Sequence, residues 1–439
     1  MATLAMFGGE RTLAAADADQ ARVGWPVVTD AEREAVLRVL DSGRFTSNSF
    51  GQGEVQLLEA EWADFVGTRY CAAVSNGTAA ISLALAALDV EPGAEILVPA
   101  LSFIASAIGP VHRMLVPRFV DIDPVTYNMD PAAAQAAVTP RTRAILAVHL
   151  HGLPCDMDAL RAVADRYGLK LVEDAAQSHG ATYRGRRTGT FGDVNTFSLN
   201  VVKNLPTCGE GGLVTTDDAD LHERVVLRRQ FGEDLRAGRD RDYISQLLAG
   251  NEKLSAIQAA FTRCQLARLP EYIAARERNV RALLDRLGAL PGLVVPACPP
   301  DRTHAWHILR LRFDPAALGF PELPASALKA ALHRALKAEG VPVQPYQPVP
   351  LPGQRAFQNR TGLGGYPWRL PGVPEPDYDV RNYPNTRALI ADSLTLQRWH
   401  LNPASGPVLD LVATAFEKVW ENMTAIAQMA RAARTPVGA

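Results

Sequence analysis

The sequence predicts an α/β fold: a mostly parallel central sheet with helices on both faces, followed by a smaller C-terminal α+β domain. Three observations carry that reading. Short apolar runs without polar alternation, such as EILVPA (95–100), RAILAVHL (143–150) and LKLVED (169–174), read as strands covered on both faces. Segments of helix length with an apolar stripe alternate with them. After about residue 265 the rhythm breaks, and 439 residues are too many for one ordinary core. The expected division is an N-terminal extension over 1–28, a large α/β domain over 29–265 and a small α+β domain over 266–439.

The elements follow from local signals. TDAEREAVLRVLDSG (29–43) reads as a helix because Thr29 and Glu32 form a capping box and Gly43 supplies a stop. GEVQLLEAEWADFVG (53–67) is a second helix, ending at Gly67. Next come CAAVS (71–75) as strand, TAAISLALAAL (78–88) as helix, and EILVPA, RFVDID (118–123) and RAILAVHL as strands. DMDALRAVADRYG (156–168) is a helix, and LKLVED, VNTFSL (194–199) and GLVTTD (212–217) are strands. LARLPEYIAARERNVRALLDRLGAL (266–290) is a long amphipathic helix leading out of the sheet domain. HILRLRF (307–313), PASALKAALHRALKAEG (324–340) and VPVQP (341–345) then give strand, helix and strand. Residues 345–384 are dense in Pro and Gly with interspersed aromatics, so that segment is either a loose surface excursion or an ordered functional loop, one expected to help set substrate choice.

Composition excludes several classes. The 45 Lys and Arg nearly cancel the 47 Asp and Glu, so no basic stripe is available for nucleic acid. Cys71, Cys155, Cys208, Cys264 and Cys298 are odd in number, widely spaced and without a CxxC, so neither a disulfide framework nor a metal site is expected. The start lacks a basic-then-apolar leader and no stretch approaches 18 uncharged apolar residues, so no membrane span is expected and the cytoplasm is the expected compartment. No GxGxxG follows the first strands, which argues against a nicotinamide-binding enzyme.

The stretch VEDAAQSHG (172–180) poses a chemical question. It ends an apolar strand on two adjacent acids, Glu173 and Asp174, and a carboxylate stripped of water is costly unless a partner compensates. In open α/β sheets ligands sit beyond the carboxyl ends of the strands, where these acids fall. Two other stretches fall at such ends. SNGTAA (75–80) opens a helix with Gly77 and Thr78, whose free N–H groups and hydroxyl suit a phosphate, although Ser, Asn and Thr are also ordinary helix caps. FSLNVVKNLPTCGEGG (197–212) carries Lys203 in an uncharged stretch after Ser198, and a lysine so placed can act as a nucleophilic amine.

With these stretches assembled, the chain resembles the DegT/DnrJ/StrS sugar aminotransferases, within the aspartate aminotransferase fold of pyridoxal-phosphate enzymes. SNGTAAISLAL, VPALSFIAS, VHLHGLPCDMD, VEDAAQSHGATYRG, FGDVNTFSLNVVKNLPTCGEGGLVTT and NEKLSAIQAA carry the resemblance in the family's order, densely over the first 265 residues and loosely after them. It implies pyridoxal 5'-phosphate as cofactor, Lys203 as the Schiff-base lysine and Asp174 as partner of the pyridine nitrogen. That pairing would answer the question of the buried acid. It further implies Phe103 stacked on the cofactor ring, Gly77, Thr78 and Ser198 around the phosphate, and Gln177 beside the ring hydroxyl. Asn251 matches an asparagine that reaches the neighbouring subunit's cofactor, which implies a homodimer.

Two departures from the family pattern are present. Where the family shows GxNxR, this chain reads Ala249, Gly250, Asn251, Glu252 and Lys253. His151 stands where an aromatic is frequent, and is a candidate for touching substrate. The dehydratase branch of the family has histidine at the position of Lys203, so the lysine argues against that branch. The implied activity is transamination from glutamate or glutamine to a keto group of a sugar-like acceptor, a nucleotide-linked keto-sugar or an inosose. The stretches 4–26 and 381–401 lean towards the branch that acts on carbocycles. An alternative is a synthase of an aminobenzoate on the same lysine; a non-catalytic relative would be expected to lack Lys203 or Asp174.

Overall fold

A computed structural model describes residues 2–47, 53–235 and 241–432. In chain order, α1 (Gln20–Val23), α2 (Asp30–Ser42) and α3 (Glu54–Val66) lead into β1 (Tyr70–Val74), α4 (Gly77–Ala87), β2 (Glu95–Pro99), α5 (Ala105–Val111) and β3 (Val116–Val120). Then follow α6 (Pro131–Ala137), β4 (Thr142–Val148), α7 (Met157–Tyr167), β5 (Lys170–Asp174), a short β6 (Thr182–Tyr183) and β7 (Arg186–Arg187) pair, β8 (Val194–Ser198), β9 (Gly212–Thr216) and α8 (Ala219–Arg229). The long α9 (Ala256–Gly288) precedes β10 (Leu293–Val294), β11 (Ile308–Phe313), α10 (Ala325–Ala338), β12 (Val343–Gln344), α11 (Arg355–Gln358), α12 (Pro384–Asp392), β13 (Ser393–Gln397), α13 (Gly406–Glu421) and α14 (Met423–Ala432).

The central sheet has seven strands in the order β1-β9-β8-β5-β4-β2-β3, and β9 alone among them runs against its neighbours. This is the mostly parallel, doubly covered sheet that the apolar runs predict. Alternate residues explain the two covers: on β1, Ala72 and Val74 pack with α4, while Cys71 and Ala73 pack with α3 and α9. Because β1, β2, β4, β5 and β8 run the same way, their carboxyl ends share one edge of the sheet, and the functional site forms along it.

Caps set the helix starts as the sequence predicts at α2, where the Thr29 N–H and hydroxyl donate to Glu32 at 2.8 and 2.6 Å and Gly43 takes the left-handed φ of 65°. The long helix begins at Ala256, about three turns before the expected Leu266. Ser255 and Gln258 form a second capping box at its start, and Pro270 is accommodated inside it. The helix therefore serves both cores, with Ala259, Leu266 and Leu269 in the large one and Val280, Leu283 and Leu287 in the small one. The small antiparallel sheet, in the order β10-β11-β13-β12, is covered by α10, α13 and α14.

The segment before α2 does not stand apart. Leu4, Leu13 and Val23 are buried in the small core, and the Ala5 and Thr12 N–H groups donate to the Glu339 carboxylate at 2.8 and 3.1 Å. Nor is 345–384 loose. Phe357 and Tyr378 pack edge-on against Phe119, each at 5.3 Å between ring centres, and the Tyr378 hydroxyl donates to the Pro117 carbonyl at 2.9 Å. Both contacts cover β3, the edge strand of the large sheet, which would otherwise present unpaired backbone.

Candidate active site

A cavity of about 590 Å³ lies beyond the carboxyl ends of the strands, between the two cores. Its floor comes from the large domain and its far wall from His307, Ile308, Tyr346, Gln397 and Arg398 of the small one. Gly77, Thr78, Phe103, Asp174, Gln177, Ser198 and Lys203 all line it.

The adjacent acids divide their labour because successive residues of a strand face opposite ways. Glu173 turns away from the cavity and accepts hydrogen bonds from His149 Nε2 (2.8 Å) and from the N–H groups of Gly189 (2.8 Å), Phe191 (2.6 Å) and Gly192 (2.9 Å). Burial raises the Glu173 carboxyl, but the bonds from His149, Gly189 and Gly192 outweigh it and hold the group below its usual range. The Cys155 N–H donates to His149 Nδ1 at 3.0 Å, which requires a lone pair there and fixes the ring proton on Nε2. Asp174 turns into the cavity. Its Oδ2 accepts the Ser106 hydroxyl at 2.8 Å and its Oδ1 the Ala176 N–H at 3.2 Å, with Ser102 a further 2.8 Å beyond Ser106. Two neutral donors align this buried carboxylate, and no ion pair consumes it among the described residues.

Lys203 sits on the turn after β8, half-buried. Burial pushes its amine below the ordinary lysine value, and the Asp174 and Glu210 carboxylates only partly offset that. At the start of α4 the Asn76 side chain accepts the Ala79 N–H at 2.8 Å and leaves the earlier N–H groups unspent. A Cβ on Gly77 would lie 2.6 Å from Ser198 Cβ, so glycine is what lets the helix start close onto the Ser198 hydroxyl. Gln177 Oε1 accepts the His151 N–H at 2.7 Å, so the amide NH₂ is its remaining polar end at the cavity. Phe103 also lines the cavity and is 54 % exposed.

Two of the expected residues, His151 and Asn251, do not line this cavity. The His151 ring does not reach the cavity. Its backbone takes a left-handed φ of 59°, and the ring is buried in a separate small void with Tyr127, His304 and Arg310, where burial, then Arg310, hold it well below its ordinary pKa. Its contribution is the backbone N–H on Gln177. Asn251 is exposed outside this chain's own cavity, its Oδ1 accepting Lys253 Nζ at 2.6 Å. The same altered loop is sewn to the start of α4, since the Ser75 N–H donates to the Glu252 carbonyl at 2.7 Å and the Ser75 hydroxyl to the Glu252 carboxylate at 2.5 Å. His179, also in the stretch 172–180, is buried against Trp62 and Phe197 and held neutral by burial, its pKa about 3.

The site also contains residues that sequence reasoning missed. Ser102 precedes α5 and Ser106 lies in its first turn, and α5 itself was not expected. His307, Tyr346, Gln397 and Arg398 come from the small domain, and no local signal marks them. From residues 345–384, Tyr346 is the one that lines the cavity among the described residues.

This set fits pyridoxal 5'-phosphate: a helix start with free N–H groups opened by Gly77, a buried carboxylate held by neutral donors, an aromatic face at Phe103 and an amine of lowered pKa. The sequence profile of the DegT/DnrJ/EryC1/StrS aminotransferase family matches residues 26–367. The chain is 38% identical over 323 residues to the dTDP-3-amino-3,4,6-trideoxy-alpha-D-glucose transaminase of Streptomyces venezuelae, covering 74% of this chain and 78% of that protein. It is 40% identical over 339 residues to the L-glutamine:2-deoxy-scyllo-inosose aminotransferase of Streptoalloteichus tenebrarius, with the same two coverages of 74% and 78%. The crystal structure of a 3-amino-5-hydroxybenzoic acid synthase superposes with a TM-score of 0.77 at 34% identity, over 90% of this chain and 98% of that one. The chain therefore belongs to the DegT/DnrJ/EryC1/StrS aminotransferase family, whose members work with pyridoxal 5'-phosphate.

Proposed function

We propose that the protein moves an amino group from glutamate or glutamine to the ketone of a polyhydroxylated ring, an inosose or a nucleotide-linked keto-sugar. One observation carries the reading: Asp174 and Lys203 face one cavity, the acid aligned by Ser106 and the amine lowered by burial. When bound, pyridoxal phosphate supplies an electron sink that makes the donor's α-hydrogen removable. Asp174, aligned by the Ser106 hydroxyl and the Ala176 N–H, is suited to pair with the pyridine nitrogen. Gly77, Thr78 and Ser198 are suited to bind the phosphate, Gln177 to donate its amide to the ring oxygen, and Phe103 to cover the ring. Lys203 Nζ, its pKa lowered by burial, is suited to bind the aldehyde carbon and, once displaced by the donor's amine, to take the proton from the donor's α-carbon.

Two kinds of support favour a hydroxylated acceptor. The small-domain wall presents hydrogen-bonding side chains, His307, Tyr346, Gln397 and Arg398, to whatever enters opposite Lys203. Relatives named for a deoxy-inosose and for a dTDP-sugar match over most of the chain. The likeness to the aminobenzoate synthase supports a second reading, in which the same lysine serves an elimination and aromatisation.

Absorbance between 300 and 500 nm, followed as glutamine or glutamate is titrated into the cofactor-loaded protein, tests the donor. Bleaching of the cofactor band is expected with one of the two. The aminated protein is then offered 2-deoxy-scyllo-inosose or a dTDP-linked keto-sugar, and the aldehyde form, with no amino donor, an unaromatised amino-ketone precursor of an aminobenzoate. Return of the band with either of the first two supports the proposal, and water loss to an aromatic product from the third alone, with the band unchanged at the end, establishes the second reading instead.

A further inference from the structure

The Lys203 carbonyl is held from far away in the sequence. The indole N–H of Trp25 donates to it at 2.8 Å across 178 residues. The lysine's own N–H is spent in the turn, on the Asn200 carbonyl at 2.8 Å, and the next residue, Asn204, donates to the Ala305 carbonyl at 2.7 Å and meets His307 Nδ1 at 2.9 Å. The Lys203 carbonyl and the Asn204 side chain are thus tied to elements outside their own loop.

Trp25 is itself braced. Tyr272 of α9 meets its ring edge-on at 5.5 Å, and the Arg276 guanidinium lies 5.6 Å from the ring centre. Arg276 is buried, lowered by burial to about 9, and its contacts are the Ala305 and Leu401 carbonyls at 3.3 and 3.4 Å. The chain just before Trp25 is pinned by Asn402, whose amide donates to the Gly24 carbonyl at 2.8 Å. Leu4, Leu13 and Val23 bury the rest of this N-terminal segment in the small core. A single indole therefore joins the small domain to the backbone of the reacting lysine.

We propose that Trp25 is a positioning residue: its N–H fixes the Lys203 backbone so that the side chain alone moves during the reaction. The chemistry asks for this. The lysine stem has four rotatable bonds, and its amine must meet first one carbon and then another; displacement of a reacting group by about 1 Å can cost roughly a hundredfold in rate. The proposal rests on the reading of Lys203 as the reacting amine.

The test uses the full chain loaded with pyridoxal phosphate. Trp25→Phe keeps the ring against Tyr272 and Arg276 and removes the N–H. Asn402→Ala loosens the same segment from the small domain and leaves the indole–lysine bond in place. The measurements are kcat and KM for the amino donor, the midpoint of the pH titration of the bound cofactor's absorbance band, and Tm. Trp25→Phe is expected to lower kcat by roughly tenfold or more with little change in KM, and to shift the titration midpoint. Asn402→Ala is expected to lower Tm by a few degrees, with the midpoint unmoved. A Trp25→Phe protein with wild-type kcat and midpoint, whatever its Tm, overturns the proposal, as does an equal shift in both variants. If Lys203→Ala keeps the wild-type band and its titration, the reading of Lys203 fails first.

Discussion

Ser106 donates its hydroxyl proton to Oδ2 of Asp174 across 2.8 Å, although the two residues sit on different elements 68 positions apart. That bond aligns a buried carboxyl group without an ion pair, which leaves it available to a ligand. Ser106→Ala leaves one carboxylate oxygen without its donor, a loss of about 1.5–3 kcal/mol for a charge-assisted bond. Affinity for pyridoxal phosphate, read from the visible band, is expected to fall roughly tenfold to a hundredfold. Wild-type affinity in this variant would mean that Asp174 is not the cofactor's partner.

Lys203 has an amine lowered by burial, with Asp174 and Glu210 offsetting only part of that. In the cofactor-free protein, the rate of acylation at Lys203, followed by peptide mass spectrometry, should therefore inflect below the ordinary lysine value of about 10.4. Pyridoxal phosphate should protect it. Lys203→Ala should leave the circular dichroism spectrum intact and lower turnover by roughly a thousandfold or more; retained turnover would remove the assignment.

Glu173 supports the fold beneath the site. Burial works against its charge, but the bonds from His149, Gly189 and Gly192 win, so its folded pKa lies below the unfolded value of about 4.3. A lowered folded pKa means stability that is present above the unfolded pKa and lost as pH falls through the folded one. Glu173→Gln should cost about 2–4 kcal/mol in urea unfolding at neutral pH and flatten the acid limb of the stability curve. An acid limb as steep as the wild type's would place that titration on other groups.

Gly77 separates packing from phosphate binding. Gly77→Ala sets a methyl 2.6 Å from Ser198 Cβ, where one of the two must shift. The expected cost is about 1–3 kcal/mol of stability, seen as a lower Tm. Binding of pyridoxal phosphate should weaken more than binding of pyridoxal, which has no phosphate to lose. Equal weakening of both would move the phosphate site away from the start of α4.

What could be read from the chain was whatever is encoded within a dozen residues. Unbroken apolar runs demand burial on both faces, so the parallel sheet was legible, and Thr29 with Glu32 marked a helix start that forms as read. The motif stretches pointed to Asp174 and Lys203 because resemblance works on contiguous residues, and both line one cavity. Side-chain direction was harder: period two puts Glu173 and Asp174 on opposite faces, but which face holds the cavity depends on how the sheet is covered. His151 shows the same limit, since a left-handed turn sends its ring into a separate void and leaves its N–H on Gln177. The segment 345–384 could be a loop or a cover by composition alone, and its aromatics became a cover once β3 fell at the sheet's edge. Contacts between distant segments, Trp25 on Lys203, Ser106 on Asp174 and the small-domain wall of the cavity, carry no local pattern at all. They arise when two cores dock and long-range packing decides which polar groups meet, and only the tertiary structure decides that.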